Sequence, residues 1–337
     1  MGLKMQEIAI DEALVKFGGV AKQRLSQALE ERDRAGFHSI AALPSNAKAV
    51  EACLLLAGGL QTFVAVVGPS GWGKTHVLEA TAKSISRERG VPVPVRPARE
   101  LLDQGRTDAS VPLILDDVQE ALGRTRLRQQ VRTVLDRRVR SGLPTLLSFN
   151  EEAGARSIRG FLPYYRDWTV VGIEEPSLAE RSLVVRQLAS TEGLVLAPQL
   201  LNLLAQRVEG NARTLLGALQ HLKLIQSDWT DRPDVLRALG TLKSYWGSRD
   251  GWDLKDFLLE STSRQAQRSL EPTWGRALSV YLVLHRIGLS EAETAQVFGL
   301  HPGEAYRITA DVAQALASKS DLEFEVEKME RALLESL

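Results

Sequence analysis

In "VAVVGPSGWGKTHVLEA", residues 64–80, Gly68, Gly73, Lys74 and Thr75 fall in the spacing G-x-x-x-x-G-K-[ST]. The glycines let the chain bend so that main-chain N–H groups of residues 69–75 turn toward phosphate oxygens, and the helix that starts there adds its dipole. Lys74 then reaches the outer phosphates and Thr75 offers a hydroxyl to magnesium. The expected cradle is Gly68, Ser70, Gly71, Trp72, Gly73, Lys74, Thr75 and His76. A magnesium nucleotide also needs a carboxylate at the end of a neighbouring strand. "PLILDDVQ" supplies Asp116, suited to hold a metal-bound water, and Asp117, suited to orient an attacking water. Either aspartate also suits a helix cap after the strand.

These residues need a strand before the loop and a helix after it, and the pattern provides both. Phe63 to Val67 is continuously apolar, and Val77, Leu78, Thr81 and Ile85 mark the inward stripe of a helix. Further apolar runs at 91–95, 111–115, 144–149 and 168–173 alternate with segments of helical period. That is the signature of a parallel five-stranded sheet covered on both faces. The prolines of "VPVPV" cannot donate to a ladder, so that strand belongs on an edge. Upstream, Val50, Cys53, Leu54 and Ala57 form another helical stripe, and the only cysteine, Cys53, reads as a packed side chain. After Pro176 the pattern is helix only, with capping boxes at Ser177/Glu180 and Ser290/Glu293. The expected organisation is an N-terminal helical segment at 1–36, an α/β base at 37–176, a helical lid at 177–240 and an all-α C-terminal domain at 241–337.

A chain of 337 residues with 44% hydrophobic content can build several real cores. No run of about 18 apolar residues appears, and the polar N-terminus does not read as a secretory signal, so a cytoplasmic protein without a membrane partner is expected. The balance of 42 basic and 42 acidic side chains excludes a global attraction for nucleic acid and leaves only local clustering. One cluster is "GRTRLRQQVRTVLDRRVRSG". There Leu127, Val131, Val134 and Leu135 form a buried stripe, while Arg124, Arg128 and Arg132 stack at i+4 on another face. It reads either as a surface helix with Glu120 and Asp136 as counter-charges, or as a contact for nucleic acid or a neighbouring subunit. The last segment, "SDLEFEVEKMERALLESL", reads as an acidic closing helix.

"GPSGWGKTHVLEA" and "LILDDVQ" resemble the AAA+ core of the bacterial replication initiator family DnaA, whose second motif likewise carries two aspartates. "FHSIAALPSNAKAV" resembles the segment that opens that core, and "GNARTLLGAL" its sensor II helix. "RALSVYLV" with "AETAQVFG" resembles its helix-turn-helix DNA-binding domain. The resemblance covers roughly residues 37–337. It implies ATP or ADP with Mg2+ as ligands, weak ATP hydrolysis, double-stranded DNA as a partner, and self-assembly or contact with other replication proteins. It also implies roles for Asn150 at the sensor I position, where a strand-end turn residue is the other reading, and for Arg213 at sensor II, where a solvated helix charge is the other.

The sequence departs from that family in three places. Tyr164, in "PYYRDWTVVGIEEP", stands where the family carries an arginine finger, with Arg159 and Arg166 nearby but out of register. Such a finger contributes about 10³ to 10⁵ in rate where it is used. The stretch before "PLILDD" has room for one strand and a short helix, "ARELLDQ", and lacks the family's extra helix. In this it is closer to the DnaA-related regulator Hda, which has no DNA-binding domain. Last, "HPGEA" replaces the recognition-helix signature, so that Glu304 meets the expected DNA face. His301, Arg264, Arg268, Arg276, Arg286 and Arg307 remain as DNA contacts. Five engaged arginines would give a salt slope of about −4 to −5.

Overall fold

A computed structural model describes residues 37–41, 43–102, 111–247, 252–268, 272–318 and 320–337. The helical expectation for 1–36 and the end of "ARELLDQ" lie outside these residues. The chain divides into a first unit that ends at Glu180 and a second that begins at Arg181.

In the first unit β1 (Phe63–Gly68), β2 (Val95–Pro97), β3 (Leu113–Asp116), β4 (Thr145–Asn150) and β5 (Thr169–Gly172) form one parallel sheet of order β2-β3-β4-β1-β5. The strands alternate between two cores because successive side chains point to opposite faces. Val64, Val66, Ile114 and Leu146 pack with α1 (Ala47–Ala57) and α2 (Lys74–Arg89). Ala65, Leu115, Leu147 and Phe149 pack on the other side with Leu127, Val131 and Leu135 of α4 (Thr125–Arg140). Both faces are covered along the central strands, which is why β1, β3 and β4 are mostly apolar instead of alternating. Between β3 and α4 lies the short α3 (Gln119–Leu122), and α5 (Ala155–Phe161) follows β4.

β2 does lie on the edge, but it starts at Val95 and not at 91. Pro92 and Pro94 have no N–H for the ladder, and Val91 is exposed. The buried Cys53 thiol is pushed up to about 12 by burial, as a packed and inert side chain requires. The arginine helix carries its apolar stripe as expected; of its two expected counter-charges, Asp136 pairs within the helix and Glu120 does not. Glu120 pairs with Arg99 at 3.6 Å, and Asp136 with Arg140 at 3.2 Å. Arg138 is buried and donates to Thr145 Oγ1 and to the carbonyls of Val111 and Pro144. Arg124, Arg128 and Arg132 are exposed.

The second unit is built from helices around one cluster that runs from Val185 to Leu333. It begins within α6 (Leu178–Glu192) and continues through α7 (Pro198–Arg207), α8 (Ala212–Ile225), α9 (Arg232–Thr241), α10 (Leu254–Arg268), α11 (Pro272–Tyr281), α12 (Glu291–Phe298), α13 (Glu304–Leu316) and α14 (Ser320–Glu335). A π-helical stretch, Leu282–Ile287, extends α11 to Gly288. The segment after Pro176 is not helix only. β6 (Val195–Leu196) and β7 (Asp228–Trp229) pair in parallel, anchored by the fully buried Trp229, whose indole donates to the Gln226 carbonyl at 3.0 Å. Both capping boxes form. Among the described residues no helix is long and apolar enough to cross a membrane.

Candidate nucleotide site

The loop joins β1 to α2. Gly73, the N-cap residue of α2, has φ 94°, a left-handed conformation that strains any residue with a Cβ. Gly68 is needed for space, because a Cβ there would lie 2.5 Å from the carbonyl oxygen of Ile173, just past β5. No acidic residue occupies the first turn of α2, and Gly73 contributes no side-chain cap, so the amides at that helix start face the loop. The buried Lys74 ammonium donates to the Gly68 and Pro69 carbonyls at 2.8 Å each, folded over the bend it would serve. Trp72 is half-buried against the core that contains Val77 and Leu78. His76 bonds Ser39 Oγ through Nε2 at 2.7 Å, and desolvation holds its pKa below the usual value.

β3 does not neighbour β1; β4 lies between them, and the acidic pair therefore ends one strand away from the loop. Thr75 Oγ1 nevertheless donates to Asp116 Oδ2 at 2.6 Å, across 41 positions of sequence. These two groups are the ones assigned to magnesium. A hydroxyl with one carboxylate suits an ion that takes few protein ligands and completes its shell with phosphate and water. Among the described residues no group of three or more His, Cys, Asp or Glu side chains is placed to hold a metal ion.

Two residues of this site were missed by the sequence reading. Ser148, buried in β4, donates to Asp116 Oδ1 and accepts from the Asp117 N–H at 2.9 Å. Gln119 donates from Nε2 to Asp117 Oδ1 at 2.9 Å, and its Oε1 accepts from the Asn150 N–H at 2.9 Å. Ser148 had a legible signal, as the lone hydroxyl near the end of an otherwise apolar "LLSF", since a buried polar group must find a partner. Gln119 had none. Asp117 itself adopts φ 53°, one of two non-glycine positive values among the described residues, and its N–H is held by Ser148 and, at 3.1 Å, by Asp116 Oδ1. Asn150 pairs with Gly68 in the β4/β1 register, beside the loop, while its side-chain oxygen accepts from Glu152 N–H at 3.5 Å. Tyr164 has φ 51°, is 51% exposed and takes a hydrogen bond from Arg140. Arg159 stacks over Tyr165.

In the second unit Arg213 is exposed in the first turn of α8, whose start is capped by Asn211 Oδ1 accepting from the Arg213 N–H at 3.0 Å. The buried Arg181 guanidinium donates to the carbonyls of Ala205, Val208 and Gly210 and so braces the chain just before that cap. The residues expected to meet DNA are engaged within the unit. Arg264 pairs with Glu260, Arg276 donates to the Phe298 carbonyl, Arg286 lies 3.2 Å from Glu330, and Arg307 lies 3.4 Å from Glu304. The His301 N–H donates to Glu304, and the Gly303 N–H to Glu291 at 2.7 Å. The Arg268 side chain lies outside the described residues. Ala295 and Phe298 of α12 and Val312 of α13 are buried as expected, but Ala292 is exposed, with Thr294 and Val297 buried instead.

A glycine-rich bend between β1 and a helix, with an acidic pair at the end of β3, defines a P-loop α/β fold. No protein-family model and no curated protein matches this sequence. Among solved structures, domain III of the replication initiation protein DnaA from Thermotoga maritima superposes with a TM-score of 0.54 at 21% identity, covering 63% of this chain and 97% of that one. A replication initiator DnaA bound to AMPPCP and single-stranded DNA superposes with a TM-score of 0.50 at 18% identity, covering 90% and 98%. The fold is that of the DnaA-like AAA+ proteins.

Proposed function

We propose that the protein binds ATP or ADP with Mg2+ at the Gly68–Thr75 loop and uses the nucleotide to govern its assembly and its contact with DNA, in or around the initiation of chromosomal replication in the cytoplasm. The observation that carries the reading is the 2.6 Å bond from Thr75 to Asp116 beside a lysine folded over a glycine bend. In this reading the loop amides and Lys74 hold the outer phosphates, and Thr75 and Asp116 hold the ion. Bound Mg2+ would neutralise charge that develops on the phosphates. Asp117 orients the attacking water, Asn150 supports it at the end of β4, and Arg213 reports the outer phosphate. The parts are a base at 37–176, a lid at 177–240 and a DNA-binding domain at 241–337 with a helix-turn-helix at α12 and α13. A structurally similar DnaA carries AMPPCP and single-stranded DNA, which supports both ligand classes. Calorimetry with ATP and with ADP, each with Mg2+, tests the core of the proposal: binding heat with either is expected, and none with both would sink it.

A second reading has its own support. The Glu291 and Glu304 carboxylates accept from amides, and the Glu260 carboxylate from an arginine, that a DNA phosphate would otherwise meet. That favours a nucleotide-bound regulator that docks on other replication proteins, as the resemblance to Hda also suggests. Anisotropy titration of a labelled duplex and of a single strand at low salt, with and without ATP, separates the two. Saturable nucleotide-dependent binding supports the first, and no binding supports the second.

A further inference from the structure

We propose that Gln119 is the positioning residue for Asp117, tying the second aspartate to the end of β4 so that the carboxylate and Asn150 act as one unit. The inference rests on the reading of the loop as a nucleotide site. One carboxamide makes both links, with Nε2 donating to Asp117 Oδ1 and Oε1 accepting from the Asn150 N–H, each at 2.9 Å. The backbone of Asp117 needs such support. Its left-handed φ of 53° is unfavourable for a residue with a side chain, and Ser148 and Asp116 fix only its N–H. With the main chain pinned, Gln119 restrains the side chain. A carboxylate has about four lone-pair sites, so a single donor leaves room to accept a proton from water.

Two substitutions separate this role from simple packing. Gln119→Glu keeps the shape and the acceptor for Asn150 but sets a like charge against Asp117. Gln119→Leu removes both links.

The test is ATP affinity by calorimetry together with kcat and KM, for wild type and both variants, with thermal melts to verify folding. Expected results are KM and affinity within roughly twofold of wild type and kcat lowered by about tenfold to a hundredfold, the scale of a misplacement near 1 Å. Unchanged kcat in both variants overturns the proposal. So does a wild type that binds ATP with no turnover, which leaves the nucleotide site standing. A wild type that binds no nucleotide removes the site and this inference together.

Discussion

Two helices of this protein start in the same way and end up with different chemistry. α2 and α13 are each entered through a glycine in the left-handed region, Gly73 at φ 94° and Gly303 at φ 79°. Each therefore turns the positive end of a helix toward the bend before it. At α2 the first turn holds Lys74 and Thr75 and no acid. At α13 it holds Glu304, and Glu291 reaches across from α12 to take the Gly303 N–H. The first helix start calls for an anion from outside, whereas the second has been given its anions by the protein. Backbone geometry alone thus does not make a phosphate site; the charges around the bend decide it.

The largest effect that would break this contrast is expected at Lys74. Lys74→Ala should weaken ATP by about a hundredfold or more by calorimetry, since a charge-assisted contact to phosphate is lost. Retained affinity would mean that the bend is not the site. At the acidic pair, Asp117→Ala should leave ATP affinity near wild type and lower turnover by about a hundredfold, the low end of the usual contribution of a positioned base. Phosphate release under single-turnover conditions measures it, and full turnover in the variant would end the role given to Asp117.

A smaller change would sharpen the contrast from the other side. Removing Glu291 and Glu304 together, each to Ala, frees the amides at the start of α13. Each carboxylate there is worth about 0.3–1 kcal/mol, so removing both should raise duplex affinity at low salt by about threefold to thirtyfold. Anisotropy with a salt titration reads both the gain and a steeper slope; no gain would show that self-neutralisation is not what limits this surface.

The smallest effect concerns pH. Lys243 bonds Glu293 at 2.8 Å and, as the leading cause, holds that carboxylate down to about 2 from its ordinary 4.5. Because the folded pKa is depressed, the stabilisation is complete above about pH 4.5 and is lost as the pH falls toward 2. The pair is partly exposed and screened, so urea melts should show at most about 1 kcal/mol from it, absent in Lys243→Ala.

How far the sequence could be read depends on the separation of the partners. The loop at 68–75 is contiguous, so its spacing, the strand before it and the helix stripe after it were all visible. Both capping boxes were visible too, with partners three residues apart. The edge position of "VPVPV" followed from proline chemistry, although the strand began later than expected. Of the two counter-charges expected for the arginine helix, Asp136 pairs within it, whereas Glu120 found Arg99 from another segment. Ala292 was misplaced because the polar Thr294 took the buried place on α12, and packing alone decided it.

By itself, then, the sequence determined the parallel apolar strands, the phosphate-type bend and the two aspartates, since each follows from local residue types and their period. Only the tertiary structure decided that Thr75 meets Asp116, that Ser148 and Gln119 organise the acidic pair, and that Arg286 lies against Glu330 and Arg276 against the Phe298 carbonyl. Those outcomes depend on β4 lying beside β3 and on which helix surfaces pack together, and such choices are made by the burial of the whole chain, not by any short stretch of it.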